Sequence, residues 1–441
     1  MKFYSLSHLR DAHQTTPWVK IGSKRTMISA AFVGIVLVGL LSYPKISAKQ
    51  ERVAWWEIQS IDTMKYSRDV AREKLRDASF GQTINTQVKN IANAGATHVA
   101  IGTPYDEEFF PFLTRWVKAA RKYGLNVWFR GNWAGWQEWF EYPRISREQH
   151  IEKTRQFILA NRDLFEDGDI FTPCPECENG GPGDPRRNRD VIGHRSFLRD
   201  ESQATKEAFE QIGKDVATNY YSMNGDVARL VMDRETTAAL GGVVVIDHYV
   251  PSPNQLADDV KEIASRSGGK VILGEFGVPI PDIHGNLSEA EQAEWLAEAL
   301  GKLSLTPELV GVNYWVNVGG STQLWDSAGK PRLAAAEIAK YFTPTVLKGT
   351  LVNEIGKPIT NAIILSNTKV VSTDVLGKFE LPVVPSSTTA AVLAQGYKDQ
   401  QVTISPEEKS MTVVLVKTHE SLWFKIAKFI YNLYPRFSFT L

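Results

Sequence analysis

Three glutamates stand where chemistry can be done. Glu275 ends the run Val271-Ile272-Leu273-Gly274-Glu275-Phe276-Gly277, and Glu176 and Glu178 lie in Cys174-Pro175-Glu176-Cys177-Glu178-Asn179. In the first run, residues typical of a buried strand lead into a carboxylate, and glycine lets the backbone turn at once. A rigid strand therefore delivers that carboxylate to its own end. Two carboxyl groups placed so can do what one cannot. One, held protonated, gives a leaving oxygen its proton; the other attacks the carbon that oxygen leaves, or activates water there. That is the minimum equipment for breaking a glycosidic bond. Glu275, Glu176 and Glu178 are the candidate catalytic carboxyl groups.

These residues need a scaffold that brings strand ends together. From Val53 the chain alternates apolar runs with helical periodicity, and does so eight times. The candidate strands are Val53–Ile58, His98–Gly102, Asn126–Arg130, Asp169–Thr172, Val216–Tyr220, Val243–Asp247, Val271–Glu275 and Gly311–Trp315. Apolar residues at helical spacing fill Gln87–Ala94, Phe109–Tyr123, Arg147–Asn161, Ser202–Ile212, Asp226–Arg234, Gln255–Ser265, Ser288–Leu303 and Arg332–Phe342. Eight βα units in about 290 residues predict an α/β fold of the (β/α)8 TIM-barrel kind. A doubly wound open sheet is the runner-up, but no G-x-G-x-x-G turn follows the first strand.

A barrel gathers its strand C-termini at one mouth. The third strand runs into Arg130, Asn132, Trp133 and Trp136, with Trp139 beyond; the fourth into Glu176, Glu178 and Asn179. The fifth ends at Tyr220, the sixth at Asp247-His248-Tyr249, the seventh at Glu275, and the eighth at Asn313-Tyr314-Trp315. Arg130, Asn132, Trp133, Trp136, Asn179, Tyr220, His248, Tyr249, Asn313 and Trp315 are the candidate substrate-binding residues. The aromatic members suit the flat apolar face of a sugar ring, and the chain holds 12 Trp.

This arrangement resembles the clan-A glycoside hydrolases of cellulase or mannanase type. In that clan the acid/base Glu ends strand 4 and the nucleophile Glu ends strand 7. A His or Tyr ends strand 6, and a Trp ends strand 8 beneath the sugar. Gly274-Glu275-Phe276-Gly277, His248-Tyr249 and Trp315 match, and the resemblance spans residues 53–342. It departs at one place: the clan has Asn directly before its strand-4 Glu, where this chain has Pro175, and Asn179 follows Glu178 instead. The resemblance implies a retaining two-glutamate mechanism, with Glu275 as nucleophile, Glu176 as acid/base and Glu178 as the alternative acid/base, and no cofactor.

After Thr343-Pro344 the rhythm changes to short apolar or alternating runs separated by turn signals, which predicts a small all-β sandwich. Gly349-Thr350-Leu351, Gly356-Lys357-Pro358-Ile359-Thr360-Asn361-Ala362 and Thr373-Asp374-Val375-Leu376-Gly377-Lys378-Phe379 resemble the carboxypeptidase-regulatory-like domain. The resemblance implies a non-catalytic appendage. The domains expected are thus 1–50 (tail, anchor and linker), 51–343 (barrel), 344–418 (sandwich) and 419–441 (an aromatic, basic tail). That last stretch fits either contact with a membrane surface or packing on the folded domains.

Near the N-terminus, Lys20, Lys24 and Arg25 precede the uncharged run Met27–Tyr43. Its length and basic flank predict a single-pass transmembrane anchor with everything after Lys45 outside the cytoplasm. Ile46-Ser47-Ala48 offers the alternative, a cleaved signal and a secreted protein. Lys+Arg and Asp+Glu are both 50, so net charge points to no nucleic-acid partner. The two cysteines, Cys174 and Cys177, are too few for a structural zinc site, and no metal is expected; a short-loop disulfide and two free thiols both remain open.

The sequence therefore predicts a membrane-anchored, extracytoplasmic glycoside hydrolase acting on a β-linked poly- or oligosaccharide. Two other readings fit the same residues: a non-catalytic glycan-binding barrel, and a transglycosylase acting on surface polysaccharide.

Overall fold

The computed structural model describes residues 53–418. The expected anchor at 27–43 and the tail at 419–441 lie outside the described residues. Among the described residues, no helix is long and apolar enough to cross a membrane.

Eight parallel strands form the first sheet: β1 Ile58–Asp62, β2 His98–Ile101, β3 Asn126–Phe129, β4 Ile170–Phe171, β5 Ser222–Asn224, β6 Val243–Asp247, β7 Lys270–Phe276 and β8 Leu309–Tyr314. Their order is β4-β3-β2-β1-β8-β7-β6-β5. A parallel bridge between Ile170 and Ala217 joins the two ends, with Phe171 N donating to Ala217 O at 2.8 Å and Ala217 N to Asp169 O at 3.0 Å. The sheet thus closes as a barrel. Its lumen is filled rather than open: Ile58, Ala100, Trp128, Ile170, Val245 and Ile272 pack together there. Trp128 can be buried because its indole N–H reaches Thr172 Oγ1 at 2.8 Å.

The outer helices bury one apolar stripe each. Phe110–Lys122 turns Phe112, Leu113, Trp116, Val117 and Ala120 inward, and Glu289–Leu303 does so with Leu296, Ala299, Leu300 and Leu303. Capping boxes start two of them, Ser146 with Gln149 and Ser288 with Glu291, satisfying donors that the first turn leaves free.

Two strands differ from expectation. The first lies at 58–62 rather than 53–58, because the strand residue Gln59 is a polar plug. Its side chain accepts from Trp55 N and Trp56 N at 2.6 and 3.1 Å and donates to Gly95 O and Phe342 O at 3.1 and 2.9 Å. The fifth is split: Ala217 bridges β4, and only Ser222–Asn224 pairs with β6. Polar residues carry out the pairing in both, so no apolar run marks them.

Residues 345–415 form two antiparallel-rich sheets around a separate core of Leu347, Leu351, Ile364, Phe379, Leu381, Val392 and Leu415. The strands are β9 Thr345–Asn353, β10 Ile363–Ser366, β11 Lys369–Ser372, β12 Lys378–Val383, β13 Thr389–Leu393, β14 Gln400–Thr403 and β15 Ser410–Leu415. One sheet runs β11-β10-β13-β14 and the other β12-β9-β15. The sandwich meets the barrel through Ser386 Oγ to Ser304 Oγ at 2.6 Å and through Lys369, whose ammonium sits 4.9 Å from the Trp55 ring centroid. Trp55 precedes β1 and Ser304 precedes β8, so this contact is at the strand N-termini. The mouth at the other end stays uncovered by the sandwich.

Candidate active site

The C-terminal ends of the strands assemble a buried ionic cluster around one guanidinium. Arg130, directly after β3, places Nη2 2.9 Å from Glu275 Oε1 and 3.3 Å from Asp247 Oδ2, with Ser222 Oγ also at 3.3 Å. Its Nη1 donates to Gly274 O, and its Nε lies 3.7 Å from Asp62 Oδ2. Arg130, Asp62 and Asp247 are buried, and Glu275 retains 7% of its surface. The second Glu275 oxygen accepts from Tyr249 OH at 2.8 Å. Both oxygens of this carboxylate are therefore fixed from the protein side.

Gly274 makes this packing possible. A Cβ there would sit 2.5 Å from Asp247 Oδ1, 2.8 Å from Val245 and 3.0 Å from Ser222 Cβ. The register between β6 and β7 shifts at the same place, bringing Asp247 opposite Glu275. Asn313, at the end of β8, floors the cluster: its Nδ2 donates to Gly274 O at 2.8 Å and lies 3.3 Å from Asp62 Oδ2. Half-buried Trp315 stands edge-on to Tyr249 with centroids 6.1 Å apart.

Burial, and next the charge of Asp247, raise the Glu275 carboxyl, while Arg130 pulls it back. Burial likewise raises Asp247 and Asp62 against the pull of Arg130. Burial works against the Arg130 charge, but Asp247, Glu275 and Asp62 outweigh it and hold the guanidinium firmly protonated. Three carboxyl groups around one cation titrate as a set. The shortest bonds favour charge on Glu275.

Glu176 is of a different character. It is half-buried, and its carboxyl group makes no hydrogen bond to the rest of the described protein. Burial, then Glu275, then Glu178 push its pKa up to about 7. Its backbone is left-handed, φ 47° and ψ 48°, a conformation that costs a residue with a Cβ roughly 1–2 kcal/mol. Glu178 is buried, and its Oε1 accepts from Asn224 N at 2.8 Å and Asn224 Nδ2 at 3.0 Å, which ties it to the end of β5. Burial raises its pKa as well. Of the two, Glu176 has the freer carboxyl.

The structure brings Arg130, Tyr249, Glu275, Asn313, Trp315 and, within electrostatic reach, Glu176 and Glu178 to one place. Several other expected residues serve elsewhere. Trp133 and Trp136 are core: Trp133 Nε1 donates to Thr154 Oγ1 at 3.0 Å, and Trp136 stacks on Phe197 at 5.0 Å. Asn132 is buried and binds Trp133 N and His150 Nε2. His248 turns to Asp259 on the helix Pro253–Ser267, at 2.8 Å. Tyr220 lies beside Trp128 in the lumen, before β5 begins, and Asn179 is exposed. Trp139 is the half-buried member of its loop, with Arg68 4.8 Å from its ring. Asp62 and Ser222 were outside the expected set because β1 and β5 were read off register. Asp247 ends its strand directly before His248-Tyr249, and an acid at a strand C-terminus is the signal the sequence offers for it.

Cys174 and Cys177 are joined by a disulfide. Their sulfurs and a Glu201 carboxylate oxygen lie within 4.8 Å of one another, all buried, the one such group among the described residues that could hold a metal ion. With the two sulfurs bonded to each other, they offer no thiolate to a cation.

No family model matches the chain, and no curated protein matches it. Among solved structures it is similar to a GH5_18 protein variant from Bifidobacterium longum subsp. longum in complex with Manb1-4GlcNAc, at 14% identity and a TM-score of 0.50, over 68% of this chain and 84% of that one. It is also similar to a GH5_18 variant from Streptomyces cattleya in complex with the same disaccharide, at 14% identity and a TM-score of 0.51, over 67% of this chain and 84% of that one. The likeness is one of fold.

Proposed function

We propose that this protein is a retaining glycoside hydrolase that cleaves a β-linked poly- or oligosaccharide, with Glu275 as nucleophile and Glu176 as acid/base. The observation that carries the reading is the contrast between the two carboxyl groups. Glu275 is clamped on both oxygens by Arg130 and Tyr249, while Glu176 is unclamped, near neutral in pKa and within reach of the Glu275 charge. Environments that push two acids into different roles are how one site does acid and nucleophilic chemistry together.

In the first step a Glu275 oxygen bonds to the anomeric carbon. The glycosidic C–O bond breaks, and its electron pair goes to the leaving oxygen, which takes the Glu176 proton. In the second step the Glu176 carboxylate takes a proton from water, the water oxygen bonds to the anomeric carbon, and Glu275 departs. Arg130 and Tyr249 hold the nucleophile still between the steps, and Trp315 offers a ring face to the sugar. The GH5_18 neighbours, both in complex with Manb1-4GlcNAc, support a saccharide as the ligand class. The uncharged run Met27–Tyr43 behind its basic flank supports an anchored, extracytoplasmic enzyme.

The test is reducing-sugar release from a panel of β-linked glucans, mannans and galactans by wild type, Glu275→Gln, Glu176→Gln and Glu178→Gln. Cleavage by wild type and by Glu178→Gln, with the other two variants at least about a hundredfold slower, is the expected pattern. Inactivity of Glu178→Gln with an active Glu176→Gln would move the acid/base by two residues. Binding without cleavage across the panel would make the barrel a reader of glycans.

A further inference from the structure

Cys174, Pro175, Glu176 and Cys177 form a closed ring, with the disulfide joining Cα atoms 5.3 Å apart. We propose that this disulfide is a positioning device for the acid/base. By closing the ring around Pro175 and Glu176, it holds Glu176 in the left-handed backbone conformation that presents its carboxyl group to the barrel mouth. The inference rests on the reading of Glu176 as acid/base.

Three observations converge on it. First, the Glu176 carboxyl group makes no hydrogen bond to the described protein, so no polar partner holds it and the backbone sets the direction in which it leaves the chain. That backbone has φ 47°, which a residue with a Cβ leaves readily unless constrained. Two main-chain bonds contribute, one on each side of the residue: Glu176 N to Ser222 O and Asn179 N to Glu176 O, both 2.8 Å. Pro175 fixes its own φ, and the sulfur bridge removes the freedom that remains.

Second, the bridge is anchored to the chain that holds the nucleophile. Asn132 Nδ2 lies 3.7 Å from Cys174 Sγ, and Asn132 Oδ1 is held by Trp133 N at 2.7 Å and His150 Nε2 at 2.8 Å. His150 in turn binds buried Glu201. One residue, Gly131, separates Asn132 from Arg130, and a Cβ on Gly131 would meet Thr103 O at 2.1 Å. This segment cannot shift easily. Arg130 grips Glu275 on one side while Asn132 touches the bridge on the other, so both glutamates are referred to one rigid segment.

Third, stabilising the fold is a weak account of this bridge. A disulfide constrains the unfolded chain least when the loop it closes is shortest, and this loop is among the shortest possible.

The test compares wild type with Cys174→Ala/Cys177→Ala, each checked for folding by near-ultraviolet circular dichroism. The substrates are phenyl and 2,4-dinitrophenyl β-glucosides and β-mannosides. Dinitrophenolate leaves without a proton, whereas phenolate needs one. The double variant should lose at least about a hundredfold in kcat on the phenyl glycosides and keep the dinitrophenyl rate within about threefold. Equal losses on both substrates, or no loss, would overturn the proposal. If the alanine pair does not fold, Cys174→Ser/Cys177→Ser takes its place, and failure of both would assign the bridge to fold stability and overturn it equally. Carbon-13 NMR of the Glu176 carboxyl, identified by its absence in Glu176→Gln, gives a readout free of turnover. Should wild type cleave neither these substrates nor the polysaccharide panel, the glycosidase reading fails on its own. The proposal then requires the Glu176 titration to fall toward the ordinary carboxylate range in the bridge-free protein, and an unchanged titration contradicts it.

Discussion

Arg130 donates to Glu275 across 2.9 Å, in a pocket where Asp247 and Asp62 face the same guanidinium at 3.3 and 3.7 Å. One buried cation thus balances several buried acids and fixes the Glu275 carboxylate. Removing it should leave uncompensated buried charge.

Arg130→Met is accordingly expected to destabilise the protein by about 3 kcal/mol or more, and to abolish turnover. Arg130→Lys restores charge without the planar fork, and should recover stability in part while kcat stays low. Urea titrations of the three proteins with kcat measured on each check both statements. A fully active Arg130→Met would mean that the guanidinium is only structural.

Gly274→Ala tests the crowding beside Glu275. The new Cβ meets Asp247 Oδ1 at 2.5 Å, so Asp247 or the end of β7 must move. A cost of roughly 1–3 kcal/mol in stability is expected, with activity reduced at least about tenfold. Gly81→Ala, on the helix Phe80–Asn93 with 3.9 Å to Arg115, is the control and should be neutral or stabilising.

Much of this was legible in the sequence, for reasons that can be named. β7 showed itself through Val271-Ile272-Leu273, an apolar run that a doubly covered parallel strand requires, and it ended on Glu275. β1 and β5 did not, because Gln59, Ser60, Ser222 and Asn224 break up the apolar run. Asp62 and Ser222 were lost with them. The loop Asn132–Trp139 misled for a different reason: a tryptophan after a strand end reads alike whether it faces sugar or core. Only the packing of Trp136 on Phe197 and the Trp133 bond to Thr154 separate the two. His248 and Tyr249 are neighbours in sequence on opposite faces of the chain, and sequence alone does not say which one meets Glu275.

The pH profile should be bell-shaped near neutrality. Turnover needs Glu176 protonated, so the rate falls as pH rises past about 7. It needs Glu275 ionised, and burial with the charge of Asp247 pushes that carboxyl up to about 8, so the two acids titrate as a pair and the acid and alkaline limbs lie close together in a narrow bell. Stability carries the same sign. A carboxyl group with a raised folded pKa contributes stability that is full below its unfolded pKa and is lost as pH rises through about 7. Glu176→Gln should therefore remove the alkaline limb and melt about 2–4 °C above wild type at pH 8, with little difference at pH 4. Matching melting curves at pH 8 would place Glu176 in water rather than in the cluster.

On the proposed mechanism Glu275 forms a bond to sugar. The direct measurement is intact-mass and peptide analysis after incubation with activated 2-deoxy-2-fluoro-β-glycosides, whose second step is slow enough to trap the glycosyl-enzyme. One added glycosyl group is expected, on the peptide that carries Glu275, and none in Glu275→Gln. A label on another carboxylate, or turnover with inversion at the anomeric carbon and no label, would contradict it.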